Sequence, residues 1–232
     1  MAAVFECSGL TKRFGAVAAL NGVNITVEPG RVVGLLGPNG SGKTTLIKLA
    51  NGLLTPSAGE LKICGDKPGT ATKSVVSYLP DRPCLPDWMN TKQLMDFFED
   101  FYADFDRQRA EEMLEKLDIG SDMKVKQMSK GTREKVQLIM VMSRRAKLYL
   151  LDEPIGGVDP ATRDYILNTI IKNYDENASV IISTHLISDV ENVLDEVIFI
   201  DKGSIKMQAS VDDIRAQYGK SVDALFREVF KC

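Results

Sequence analysis

The residues Gly37-Pro38-Asn39-Gly40-Ser41-Gly42-Lys43-Thr44-Thr45 constrain this chain more than any other stretch. They carry the spacing G-x-x-x-x-G-K-[ST], in which glycines let successive backbone N–H groups converge on an anion. The flanks fit that use. Val32-Val33-Gly34-Leu35-Leu36 is a short apolar run with the character of a buried strand, and Leu46-Ile47-Lys48-Leu49-Ala50 reads as the first turns of a helix. A helix N-terminus adds partial positive charge to such a loop. On this reading Lys43 reaches the β- and γ-phosphates of a nucleoside triphosphate, and the Thr44 hydroxyl ligates Mg²⁺. With average residue usage the four fixed positions recur by accident in roughly 1% of chains this long. The strand and helix around them make an ordinary glycine turn the weaker explanation.

Composition sets the outer limits. A chain of 232 residues forms one large domain, or a core with an inserted subdomain. Hydrophobic content of 44% and charged content of 26% are those of a globular protein. The net charge of −3 and the lack of a long basic block argue against a nucleic-acid partner. No apolar run is long enough to span a membrane. Met1 to Glu6 lacks a basic segment followed by an apolar stretch, so no ordinary signal peptide is expected. Cys7, Cys64, Cys84 and Cys232 are scattered, without CxxC spacing and with a single histidine in the chain. They read as reduced thiols of a cytosolic protein rather than metal ligands.

Along the chain, residues 4–10 and 23–27 are predicted strands joined by a loop, and 31–36 is the strand feeding the glycine-rich segment. Phe14 lies in that first loop, where a lone aromatic is first of all a packing residue. Short strands follow at 60–63 and 75–79. The proline-rich stretch from Asp81 to Trp88 cannot be regular structure. Thr91 to Tyr102 reads as an amphipathic helix with Leu94, Phe97, Phe98 and Phe101 on one side. Periodicity makes that a core stripe, with a partner surface as the alternative. Asp106 to Leu117 forms a second helix, and Ser129 is a good N-cap for a third that runs to about Arg145.

Lys147 to Leu151 is a continuous apolar strand ending in Asp152 and Glu153. Two carboxylates there are costly unless positive charge meets them. A nucleotide-bound Mg²⁺ supplies it. Asp159-Pro160 opens a helix with Ile166, Ile170 and Tyr174 in one row. Val180 to Thr184 is a further buried strand with His185 at its end, the edge where open α/β sheets bind ligands. Strands near 196–201 and 204–209 and a helical segment at 211–230 complete the chain.

These landmarks, in this order, resemble the ATP-binding subunit of ABC transporters over essentially the whole chain. The resemblance implies an α/β fold: a P-loop core with a mostly parallel sheet, an N-terminal antiparallel β subdomain and an inserted helical subdomain. Residues 1–80 and 144–232 would form the core, and 81–143 the helical part. Residues 37–45 correspond to Walker A, so Gly37, Pro38, Asn39, Gly40, Ser41, Gly42, Lys43, Thr44 and Thr45 would bind ATP. Leu148 to Asp152 corresponds to Walker B, and Glu153 matches the catalytic glutamate. Met128-Ser129-Lys130-Gly131-Thr132 falls where the LSGGQ signature belongs, which gives Ser129 and Gly131 a phosphate role across a dimer. Gly156 to Asp159 resembles the D-loop, His185 the switch histidine, and Phe14 the aromatic that stacks on adenine. Thr44, Asp81 and Asp152 would hold Mg²⁺.

The resemblance further implies a homodimer or heterodimer of ATPases, separate transmembrane permease subunits, and a peripheral place on the inner face of the cell membrane. Two positions depart from the pattern. Asp81 stands where the Q-loop usually has glutamine, and the signature has Lys130 for glycine and Thr132 for glutamine. Lys130 either adds charge near the γ-phosphate or faces solvent. The signature variant and short C-terminal tail are similar to ATPases of multidrug or antimicrobial-peptide exporters. The alternatives are a non-transport ABC ATPase and a low-turnover regulatory module.

Overall fold

The computed structural model describes residues 3–175 and 177–230; Met1, Ala2 and Cys232 lie outside them. β1 (Phe5–Phe14) and β2 (Val17–Val27) form an antiparallel hairpin, and β4 (Ala58–Ile63) pairs with the other edge of β1. The region between residues 10 and 23, expected to be a loop, is thus strand up to the turn at Gly15 and Ala16. Register shifts along the pairing break the two-residue alternation that would have revealed it.

The second sheet has six strands. β3 (Val32–Leu36) lies at its centre, followed in the chain by α1 (Lys43–Ala50), α2 (Thr70–Lys73) and β5 (Val76–Leu79). α3 (Thr91–Phe101), α4 (Arg107–Glu115) and α5 (Lys130–Met142) come next, then β6 (Leu148–Asp152), α6 (Pro160–Asn173) and β7 (Ser179–Thr184). α7 (Ile187–Val190), β8 (Glu196–Asp201), β9 (Ser204–Ser210), α8 (Val211–Tyr218) and α9 (Val222–Phe230) finish the fold. The strand order is β5-β6-β7-β3-β8-β9, parallel except for the β8–β9 pair.

Alternation on β3 distributes the core over both faces of this sheet. Val33 and Leu35 pack with α1 and the antiparallel sheet, while Val32 and Leu36 pack with α5, α6 and the C-terminal helices. A third cluster, including Leu94, Met113, Leu114, Val125 and Val136, lies among α3, α4 and α5. The aromatic stripe of α3 splits. Leu94 is buried and Phe98 packs against that cluster, but Phe97 and Phe101 are exposed, as is Trp88. Periodicity alone therefore overstated the core here.

Arg144 fastens the helical layer to the sheet. It is 2% exposed, and its guanidinium donates to Asp104 at 2.9 and 3.0 Å and to the carbonyl of Ser74 at 3.0 Å. It also donates to the Val76 carbonyl and stacks 3.8 Å from the Tyr102 ring centroid.

Candidate functional site

The glycine-rich loop leaves the carboxyl end of β3 and enters α1 under tight steric control. A Cβ on Gly37 would lie 2.2 Å from the Ile200 carbonyl oxygen. One on Gly42 (φ +111) would lie 2.6 Å from that of Ala19, so both positions need glycine. Asn39 and Gly40 are exposed at the loop tip. Lys43 folds back beneath it, 5% exposed, and its Nζ donates to the carbonyls of Gly37 at 2.8 Å and Pro38 at 3.3 Å.

Parallel pairing brings the other residues to the same edge, since β7 separates β3 from β6 and places Asp152 opposite Ser183. Thr44 Oγ1 donates to Asp152 Oδ1 at 3.2 Å, and Ser183 Oγ donates to the same oxygen. Asp152 is fully buried, and its Oδ2 has no hydrogen-bond partner; nor does the buried Ser41 Oγ. Burial pushes the Asp152 carboxyl above its usual range, against the two hydroxyl bonds and with help from Asp81 and Glu153.

Glu153 links the two remaining members. Its Oε1 lies 3.4 Å from Lys43 Nζ, and its Oε2 lies 3.0 Å from His185 Nδ1. Its backbone sits at φ +49, a costly conformation for a side-chain-bearing residue. Two bonds from its N–H hold it there, to the Ser183 carbonyl at 3.0 Å and the Ser183 hydroxyl at 3.2 Å. Ser183 thus orients both carboxylates, a role not evident in the sequence. Its available signal was a hydroxyl pair, Ser183-Thr184, closing the apolar run Val180-Ile181-Ile182.

Asp81 lines a small cleft together with Glu134, Gln137 and Glu153, and Arg82 Nε approaches it at 4.0 Å. Phe14 lies beside the hairpin turn, 49% exposed, with Lys12 Nζ 5.1 Å from its ring centroid. Ser129 and Gly131 begin α5. The Ser129 hydroxyl accepts from the Thr132 N–H at 3.1 Å, and a Cβ on Gly131 would meet open space. Among the described residues no hydrogen bond or ion pair joins Ser129 or Gly131 to residues 37–45 of the same chain. Lys130 is largely exposed and pairs with Glu134 at 3.8 Å.

A raised carboxyl pKa means that the folded, metal-free protein binds a proton more tightly than the unfolded chain at Asp152. Above the raised pKa the buried charge costs stability, and that cost fades as pH falls through it. Asp152→Asn should therefore raise the metal-free unfolding midpoint near neutral pH, by about 2–4 °C for each kcal/mol relieved. Its advantage over wild type should shrink in acid. Thermal unfolding across a pH series, in chelator, checks both points; a lowered midpoint at neutral pH contradicts this account.

Sheet, loop and acidic edge define a P-loop nucleotide-binding protein. The family model described as ABC transporter matches residues 20–156, and the chain belongs to that family. An uncharacterized ABC transporter ATP-binding protein, YdbJ of Bacillus subtilis (strain 168), is 34% identical over 221 residues, covering 90% of this chain and 70% of that one. The daunorubicin resistance ATP-binding protein DrrA3 of Streptomyces coeruleorubidus is 28% identical over 229 residues, covering 95% and 72%. A solved ATP-binding subunit of an ABC transporter superposes with a TM-score of 0.88 at 28% identity, over 98% of this chain and 99% of that one. A dimeric ATP-binding cassette in a post-hydrolysis state, bound to ADP and Pi, shares the fold with a TM-score of 0.77 at 21% identity, over 89% and 98%. The chain is accordingly an ABC ATPase, the ATP-binding and ATP-hydrolysing subunit of an ABC transporter.

Proposed function

We propose that two such subunits close on two ATP molecules, each held by residues 37–45 of one and by Ser129 and Gly131 of the other. The observation that carries the reading is the chain of contacts Lys43–Glu153–His185 beside the unpartnered oxygen of Asp152. Backbone N–H groups of the loop and the α1 N-terminus would receive the phosphates. Lys43 would exchange its carbonyl partners for phosphate oxygens and neutralise charge developing on them. Glu153, released from Lys43, would accept the proton of the attacking water, and His185 would bond the γ-phosphate and sense its loss. Phe14 would stack on the adenine ring.

The acidic edge fits Mg²⁺. Asp152 contributes a buried carboxylate oxygen in need of a partner, and Thr44 a hydroxyl 3.2 Å from that carboxylate. No cluster of three or more acidic, histidine or cysteine side chains suited to a metal occurs among the described residues. The ion would therefore draw most of its shell from phosphates and water, as Mg²⁺ commonly does. When bound, it supplies positive charge to the β- and γ-phosphate oxygens. Asp81 is assigned to the same ion or its water because it shares the cleft with Glu153. Asp81→Gln should then shift the Mg²⁺ dependence of ATP hydrolysis, measured as rate against free Mg²⁺. An unchanged titration removes the metal role from Asp81.

Among the described residues no helix is long and apolar enough to cross a membrane. Transmembrane permeases as separate chains, docked over the groove between Asp81 and Phe101, supply the rest of the transporter in this reading. Leu53 and Phe97, both exposed, line an apolar groove there with Leu85, Pro86 and Phe98, which supports that assignment. Export as the direction rests on the likeness to a drug-resistance ATPase. Co-purification with a polytopic membrane protein, and substrate accumulation in cells lacking the ATPase, test partner and direction.

A further inference from the structure

We infer that Arg163 is a positioning residue for the Glu153–His185 pair, acting as a clamp on the two segments that lead away from it. The inference rests on the roles proposed above for Glu153 and His185. One segment follows β6 and runs from Glu153 to Asp159; the other follows β7 and runs from His185 to Val190. At their roots the segments meet through Glu153 Oε2 and His185 Nδ1, 3.0 Å apart. Arg163 on α6 joins them a second time. Its Nε donates to the Val158 carbonyl at 3.1 Å, and its Nη1 donates to Asp189 Oδ2 at 2.7 Å.

The result is a ring closed at two points. Within it Ile155 is anchored in the core and Val158 packs against the core's edge, but Gly156 and Gly157 (φ +72) lie between them, so the path of the segment needs a further hold. Asp159 supplies one side of that hold by capping α6, accepting from the Thr162 N–H at 3.1 Å. The Arg163 guanidinium supplies the other. Its side chain is 29% exposed and that of Asp189 31% exposed, and an ion pair in such a setting adds little to stability. A planar fork engaged at two donors does, however, fix direction. The clamp therefore acts on placement, which is where misorientation of a catalytic pair is felt.

Arg163→Met and Asp189→Asn should each lower kcat for ATP by about tenfold while leaving KM near its wild-type value, because the Lys43 cradle is untouched. Asp189→Glu, which keeps the pair, should restore most of kcat. Hydrogen exchange should quicken in both affected variants at the amides of 156–158 and 186–189, with the thermal midpoint within a few degrees of wild type. Wild-type kcat in Arg163→Met, with Glu153→Gln inactive, overturns the clamp alone; so does a KM that rises in step with a collapsing midpoint. Turnover surviving in Glu153→Gln overturns the underlying reading instead, and the exchange rates then decide the clamp by themselves.

Discussion

Glu153→Gln should reduce steady-state phosphate release by about 10²–10⁴-fold, the usual contribution of a positioned general base. Glutamine matches glutamate in shape and keeps an oxygen for one neighbour, but it cannot take a proton from water. The backbone that presents it would not move, because its N–H still donates to the Ser183 carbonyl and hydroxyl, and neither bond involves the Glu153 side chain. Nucleotide binding should survive, since Lys43 keeps its place beneath the loop through Gly37 and Pro38. The variant should accumulate as an ATP-bound dimer, visible as a nucleotide-dependent shift in gel filtration. Hydrolysis at the wild-type rate would strip Glu153 of the base role, whatever else held.

Arg144→Met is expected to have the largest effect on stability. The substitution retains much of the side-chain volume but strands the Asp104 carboxylate and the carbonyls of Ser74 and Val76 that the guanidinium now serves. Breaking such a pair by removing one partner costs about 3–5 kcal/mol, and the low end applies because Asp104 keeps some contact with water. Against a total stability of about 5–15 kcal/mol this is a large fraction. The unfolding midpoint should fall by roughly 6–12 °C, at about 2–4 °C per kcal/mol for a chain of this size. Arg144→Lys should recover only part of the loss, because an ammonium cannot reproduce the planar fork. A midpoint within 2 °C of wild type, measured by thermal unfolding, would mean that the fastening is energetically idle (that shift being about 1 kcal/mol or less).

Most of the candidate site was legible because it is local in the chain. The loop at 37–45 announces itself by spacing, and Asp152, Glu153 and His185 by standing at the ends of apolar strands. That β7 lies between β3 and β6 follows from pairing, and no short stretch encodes it. What escaped detection depends on distant partners. Arg144 reads as the solvated end of a helix, yet its hydrogen-bond acceptors are 40 to 71 residues away. Ser183 looks like one more strand residue until Asp152 and Glu153 arrive beside it. The hairpin between residues 10 and 23 was hidden by register shifts, and the exposure of Phe97 and Phe101 by a period that shows which side a residue is on, not whether that side is covered.

If Phe14 stacks on the base as proposed, its half-exposed ring bears on which nucleotides the enzyme accepts. A benzene face offers dispersion and quadrupole attraction to any purine, and it carries no donor or acceptor with which to tell an exocyclic amine from a keto oxygen. In the stacking role proposed for it, the ring by itself would not discriminate between adenine and guanine. In that role the phosphates would carry the grip, and any choice of base would fall to groups other than this ring.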